Sequence, residues 1–317
     1  MKVKKILAAF GLLALVAAAI VGCVFVINRS QKEQSIIATN FVGYDFARAI
    51  LGNNTEVRML LKPATEAHSY EPTPQDIIDI TNADFFIYVG GESEEWVEDI
   101  IKDNNIDKSK TIRLMDFVKL KNEEVKEGME EEPEEEGEDS EEEYDEHIWT
   151  SPLNAIRIIE AMRDRFVAKR PLEQDKYTNN AANYVGKLQT IDKKIRNIVK
   201  KAARKELIFA DRFPFRYFVD EYGLDYYAAF PGCAEQTEAS SATIAFLINK
   251  VKADKVPVVL KIELTNGALA ENISKETGAK IMTLNAAHNI SQEDFDAGKT
   301  YTDIMSDNLS VLKEALK

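Results

Sequence analysis

Three histidines stand in the 317-residue chain: His68, His147 and His288. A neutral imidazole is the commonest protein ligand for transition metals and suits zinc in particular. No two of them share a local motif, since 79 residues separate the first pair and 141 the second. Each falls in a loop after a predicted strand, or just before a predicted helix start. In open parallel sheets such loops lie off the carboxyl ends of the strands, where ligands bind. Three imidazoles from equivalent loops can converge on one metal. Loop placement also predicts that single alanine variants lose the metal and stay folded.

The elements that must position these loops are legible from the pattern. Ser35–Asn40 and Glu56–Leu61 read as strands, with helical spacing from Phe41 to Leu51 between them. Thr73-Pro74-Gln75-Asp76 has the cap, first-turn proline and acidic third position of a helix start. Asp84–Val89 is an apolar strand closed by Gly90-Gly91, and Ser151-Pro152 opens a helix through about Lys169. Over Leu172–Lys205, apolar residues at Tyr184, Leu188, Ile191, Ile195 and Ile198 predict one long amphipathic helix. Strands at Glu206–Ala210, Tyr226–Phe230, Val256–Ile262 and Lys280–Leu284 then alternate with helices, the last from Tyr301 to Leu316. The expected fold is α/β, with two lobes, each a parallel sheet flanked by helices, joined by one long linker helix. The expected boundaries are an anchor at 1–33, a first lobe at 34–170, the linker at 171–205 and a second lobe at 206–317.

Charge is concentrated in one place. Residues Glu123–Glu146 carry sixteen acids and one base, a net of −15 against −14 for the whole chain, which leaves +1 for the other 293 residues. A neutral body has no electrostatic footprint for nucleic acid. The low-complexity segment 122–146 reads first as a solvated charge run and second as a weak cation-collecting antenna. A run with no apolar surface predicts that deleting residues 123–143 leaves fold and metal binding intact.

At the N-terminus, Met1–Lys5 holds three lysines and Ile6–Asn28 holds no charge. Ile20-Val21-Gly22-Cys23 resembles a lipobox, which makes Cys23 the lipidation site. Apolar residues continue to Ile27, so an uncleaved membrane anchor is the rival reading. Both put the body outside the bacterial cell membrane, on its outer face. The second cysteine, Cys233, reads as a packed residue, and with no CxxC pattern cysteine-rich zinc modules are excluded.

Ala67–Pro74 (AHSYEPTP), Ala83–Gly90 (ADFFIYVG) and Asp145–Ala155 (DEHIWTSPLNA) resemble the metal-binding solute-binding proteins of ABC transporters for zinc and manganese. This is the cluster A-I family, which includes metal-binding lipoprotein adhesins. The resemblance runs over about residues 35–317; the first and third of those motifs are specific, and the strand Ala83–Gly90, Phe215–Phe218, Tyr222–Leu224 and Thr300–Met305 give weaker support. It implies that His68 and His147 are ligands. In the second lobe Arg212 stands at or near the usual third histidine, and arginine, a permanent cation, does not ligate. Asp211 beside it is the candidate in its stead, Glu263 another, and His288 falls at or one position from the usual fourth ligand.

The metal set carried forward is His68, His147, His288 and Asp211. Imidazoles with at most one carboxylate favour zinc over manganese as the transported ligand. The implied function is extracytoplasmic capture of a divalent transition metal for an ABC permease and its ATPase, by a monomer that is not an enzyme. Two alternatives stay open: a zinc enzyme with an open position, against which no HExxH is present, and an adhesin or sensor that kept the fold.

Overall fold

In the computed structural model, the first sheet lies in the order β2-β1-β3-β4, all parallel: β1 Ile36–Ala38, β2 Val57–Met59, β3 Phe85–Tyr88 and β4 Thr111–Arg113. The second repeats that topology as β6-β5-β7-β8, again parallel: β5 Glu206–Arg212, β6 Asp225–Phe230, β7 Val258–Lys261 and β8 Lys280–Thr283. The structure describes residues 35–52, 55–65, 70–130, 143–234 and 238–317. Residues 35–317 make one compact unit. The strand β4 carries too short an apolar run to be seen in the sequence.

Alternate side chains of a strand face opposite sides of the sheet. Ile36 and Ala38, Phe85 and Ile87, and Leu207 and Phe209 therefore enter one apolar core common to both sheets. Ile37, Phe86 and Tyr88 turn to an outer cluster under α2 Pro74–Asn82 and α3 Glu95–Asp103. Ile208 and Ala210 do the same beneath α7 Ser241–Asp254 and α8 Ala268–Thr277. Covered on both faces, the inner strands β1 and β3 have no polar alternation, as expected of a parallel sheet.

The long helix forms as expected. Of the helices in chain order, α1 is Phe41–Leu51, α4 Pro152–Lys169, α5 Gln174–Lys201, α6 Arg216–Tyr222, α9 Gln292–Asp296 and α10 Tyr301–Ala315. α5 runs about 42 Å at 1.5 Å per residue. It buries Tyr177, Ala181, Tyr184, Val185, Leu188, Ile191, Ile195 and Val199 as one stripe. That stripe packs against α1, α4 and α10, so α5 spans both halves of the core. The caps act as read at Thr73, which forms a reciprocal capping box with Asp76, and at Ser151, whose hydroxyl accepts from Asn154 N–H; Thr300 and Asp303 form a second capping box. Among the described residues no helix is long and apolar enough to cross a membrane.

The acidic segment departs from expectation. Its two ends are docked, not solvated. Glu123 N–H donates to Glu143 O at 2.8 Å and Asp145 N–H to Lys121 O at 2.9 Å, which closes a short antiparallel stem around Asn122 and Tyr144. Glu123 Oε1 accepts from Cys233 N–H, Lys126 pairs with Asp225, and Met129 is buried in the common core. Gly128 sits at φ +86°, and any Cβ there would meet the Phe246 ring at 2.1 Å. Composition hid this because remote backbone N–H groups donate to these carboxylates one at a time. We therefore expect Met129→Ala to cost about 2 kcal/mol of stability in chemical denaturation. Exchanging residues 131–142 for a Gly-Ser stretch should leave stability unchanged. Equal stability of Met129→Ala and wild type would return the stem to the solvated reading.

Candidate metal centre

The carboxyl ends of both sheets supply the site. His147 opens the short 3-10 turn Ile148–Thr150 that precedes α4. It is fully buried, its N–H donates to Asp145 Oδ1 at 2.8 Å, and its Nδ1 lies 3.3 Å from the same oxygen. For His147 this corrects the expectation, drawn from loop placement, that its removal leaves the fold untouched: the loop is a loop in backbone only.

His288 follows β8 and is half-buried. Glu263, just past β7, clamps its loop, accepting from His288 N–H at 2.9 Å and from Ala286 N–H at 2.7 Å. Between them Ala287 takes the left-handed φ of +58°, a conformation that an L-residue holds only when its surroundings fix it.

The two imidazoles meet edge to face, with ring centroids 5.0 Å apart. Two imidazoles on one tetrahedral zinc, at about 2.0–2.1 Å per Zn–N bond, place their centroids about 5 Å apart. Trp149 completes a triangle, its ring 5.6 Å from each. Its indole N–H donates to Ala286 O at 2.8 Å, and its own carbonyl accepts from the Tyr301 hydroxyl at 2.6 Å. The His147 turn is thereby bonded directly to the His288 loop.

A cavity of about 20 Å³ opens beside them, lined in part by Thr39, Leu61, Tyr70, Glu146, Trp149 and His288. It has room for one water-sized body, which suits an ion and no larger solute. His68 and Cys23 lie outside the described residues; Tyr70, two places after His68, is on the cavity wall. Among the described residues no group of three or more His, Cys, Asp and Glu is arranged to hold a metal. The structure thus brings together His147 and His288 from the set read in the sequence.

Asp211 is otherwise engaged. Its Oδ2 accepts from the Thr265 hydroxyl at 2.7 Å and Ile262 N–H at 3.2 Å, and its Oδ1 from Arg212 N–H at 3.0 Å. These bonds tie the end of β5 to the turn after β7, and a metal would have to displace them. Arg212 is half-buried, with Nη1 3.4 Å from Ala234 O.

Buried acids surround the pair, and sequence reasoning missed them because they lay inside the glutamate run or beside Gly90-Gly91. Glu146 accepts from Ser93 N–H at 2.7 Å, and any Cβ on Gly91 would collide with it at 2.2 Å. Glu94 accepts from Val89 N–H at 2.6 Å and Gly90 N–H at 2.9 Å. Burial pushes Glu94 up to about 7, and burial with nearby Glu143 and Glu146 does the same to Glu92. Burial opposes a charge on His147, but Asp145, backed by Glu146 and Glu123, outweighs it and raises its pKa. The carboxylates that act on His147, Asp145 first, thus lie where a cation would sit.

Known proteins resemble this chain in sequence and fold. The chain is 34% identical over 290 residues to the high-affinity zinc uptake system protein ZnuA of Bacillus subtilis strain 168, across 89% of this chain and 87% of that protein. It is 32% identical over 288 residues to the zinc-binding lipoprotein AdcA of Streptococcus pneumoniae strain R6, across 90% of this chain. It spans only 56% of AdcA's length. The Zn(II)-bound crystal structure of the ZnuA-like domain of that AdcA superposes with a TM-score of 0.74 at 30% identity, covering 90% of this chain and 99% of the domain. The family model for the periplasmic component A of the zinc-uptake complex matches residues 36–315, so the chain belongs to the ZnuA family.

Proposed function

We propose that this chain captures zinc outside the cytoplasm and hands it to an ABC permease driven by its ATPase. The observation that carries the reading is the His147–His288 pair at 5.0 Å beside an ion-sized cavity. His68 is the third ligand on the strength of the family motif, and residues 34–170 and 206–317 are the lobes that grip the ion. Asp211 is the fourth only if it gives up its bonds to Thr265 and Ile262. Imidazole donors favour zinc, and manganese, which prefers more oxygen ligands, should bind weakly. The relatives support the same reading: one is named for zinc uptake and one for zinc binding, and neither for catalysis. Cys23 carries the lipid that holds the body at the outer face of the membrane.

Metal analysis of the full chain purified in detergent tests this. One zinc per chain should survive dialysis, resist a large excess of manganese, and copurify with a lipid label that Cys23→Ala lacks. Retention of manganese in the presence of zinc would overturn the metal assignment, and an unlabelled wild type the anchor.

A further inference from the structure

The loop that carries His288 is tied to the other sheet one residue further on. Asn289 is 3% exposed. A side-chain amide has two N–H bonds to give. Those of Asn289 go to Lys62 O at 2.9 Å and Thr65 O at 2.6 Å, in the loop after β2 and more than 220 residues away in sequence. Its oxygen accepts locally from Ile290 N–H at 2.8 Å. A return bond runs from Ala64 N–H to Ile290 O at 2.8 Å, with Ala64 held at φ +62°. Leu61, beside this tie, and His288 both line the ion-sized cavity. Glu263 and Trp149 already fix Ala286 and His288 from the second sheet and from the His147 turn. Asn289, together with the Ala64–Ile290 bond, joins that fixed loop to the first sheet.

We infer that Asn289 is a positioning residue for metal release: its two N–H bonds to Lys62 and Thr65 lock the loop after β2 onto the His288 loop, and they must part before the ion leaves on that side. The inference rests on the zinc-site reading above. Neither carbonyl is replaceable by side-chain chemistry, so these two bonds of the tie depend on a donor at 289. Asparagine supplies that donor, and the near-isosteric aspartate does not. Asn289→Asp keeps the acceptor for Ile290 N–H but turns a carboxylate oxygen toward two carbonyls.

The test uses the full chain in detergent, loaded with zinc and challenged with excess chelator. Asn289→Ala should release zinc about tenfold faster than wild type, the worth of one or two net hydrogen bonds. Asn289→Asp should release it at least as fast. With cobalt(II) in place of zinc, the visible spectrum of both variants should match wild type, because the ligands are untouched. A packing role alone would lower the melting temperature without speeding release. Coupling is reciprocal, so in wild type the Ala64 amide should exchange with solvent more slowly with zinc than without it. Equal exchange in the two states would overturn the proposal, even if a variant failed to fold. Loss of zinc by His288→Ala, with wild-type release from Asn289→Asp, would overturn the lock alone. Zinc held by His288→Ala as tightly as by wild type would overturn the site reading and the lock together.

Discussion

His147→Ala should lose zinc affinity by at least a hundredfold and lower the stability of the metal-free protein as well. An apparent zinc binding free energy of about 10–16 kcal/mol, spread over four ligands, assigns roughly 3 kcal/mol to each. That is about a hundredfold in dissociation constant. The stability loss has a separate cause. The His147 ring is fully buried against Trp149 and His288, and its Nδ1 lies 3.3 Å from Asp145, itself buried. Removing it leaves a void and a buried acid without its partner, each costing about 1–3 kcal/mol. His288→Ala should show the same affinity loss with little change in stability, because His288 is half-buried and its loop is held through backbone by Glu263. Chelator-competition titration and thermal melting of the metal-free proteins separate the two effects. Should His288→Ala bind zinc like wild type, the second sheet uses other ligands, and Glu263 and Asp211 are next to be examined.

Trp149→Ala should be the most destabilising single change near the site, by about 3–5 kcal/mol. Trp149 is 1% exposed and packs on both imidazoles. Its indole N–H is the bond between the His147 turn and Ala286, and Ala286 is also held by Glu263. The variant should also bind zinc more weakly, though Trp149 touches no metal, because the two ligand loops are no longer referred to one another. Trp149→Phe separates the contributions. It keeps an aromatic ring and leaves Ala286 O without its donor, a loss of about 1–3 kcal/mol. Denaturant titrations with and without zinc measure both. A Trp149→Ala protein within about 1 kcal/mol of wild type would contradict the packing argument, since buried Trp→Ala changes cost several times that.

Much of the fold was legible because its signals are local. A capping box acts over three residues, and Thr73 with Asp76 announces its helix from sequence and forms as read. Helical period needs only a dozen residues, so α5 showed itself through Tyr184, Leu188, Ile191 and Ile195. The alternation of strands and helices fixed two parallel sheets, and the loop positions of the three histidines, with the AHSYEPTP and DEHIWTSP motifs, pointed to a metal and a family. What tertiary structure alone decided is which distant groups meet. His147 and His288 stand 5.0 Å apart through Trp149. Asp211, expected to ligate, gives its carboxylate to Thr265 and Ile262. Glu123 and Glu146, counted as solvated charge, accept from the Cys233 and Ser93 N–H groups. In each case the partner lies tens to hundreds of residues away in sequence. No local pattern carries that information, because a carboxylate next to water and one facing a remote N–H are the same letter until packing of the two sheets sets which one it is.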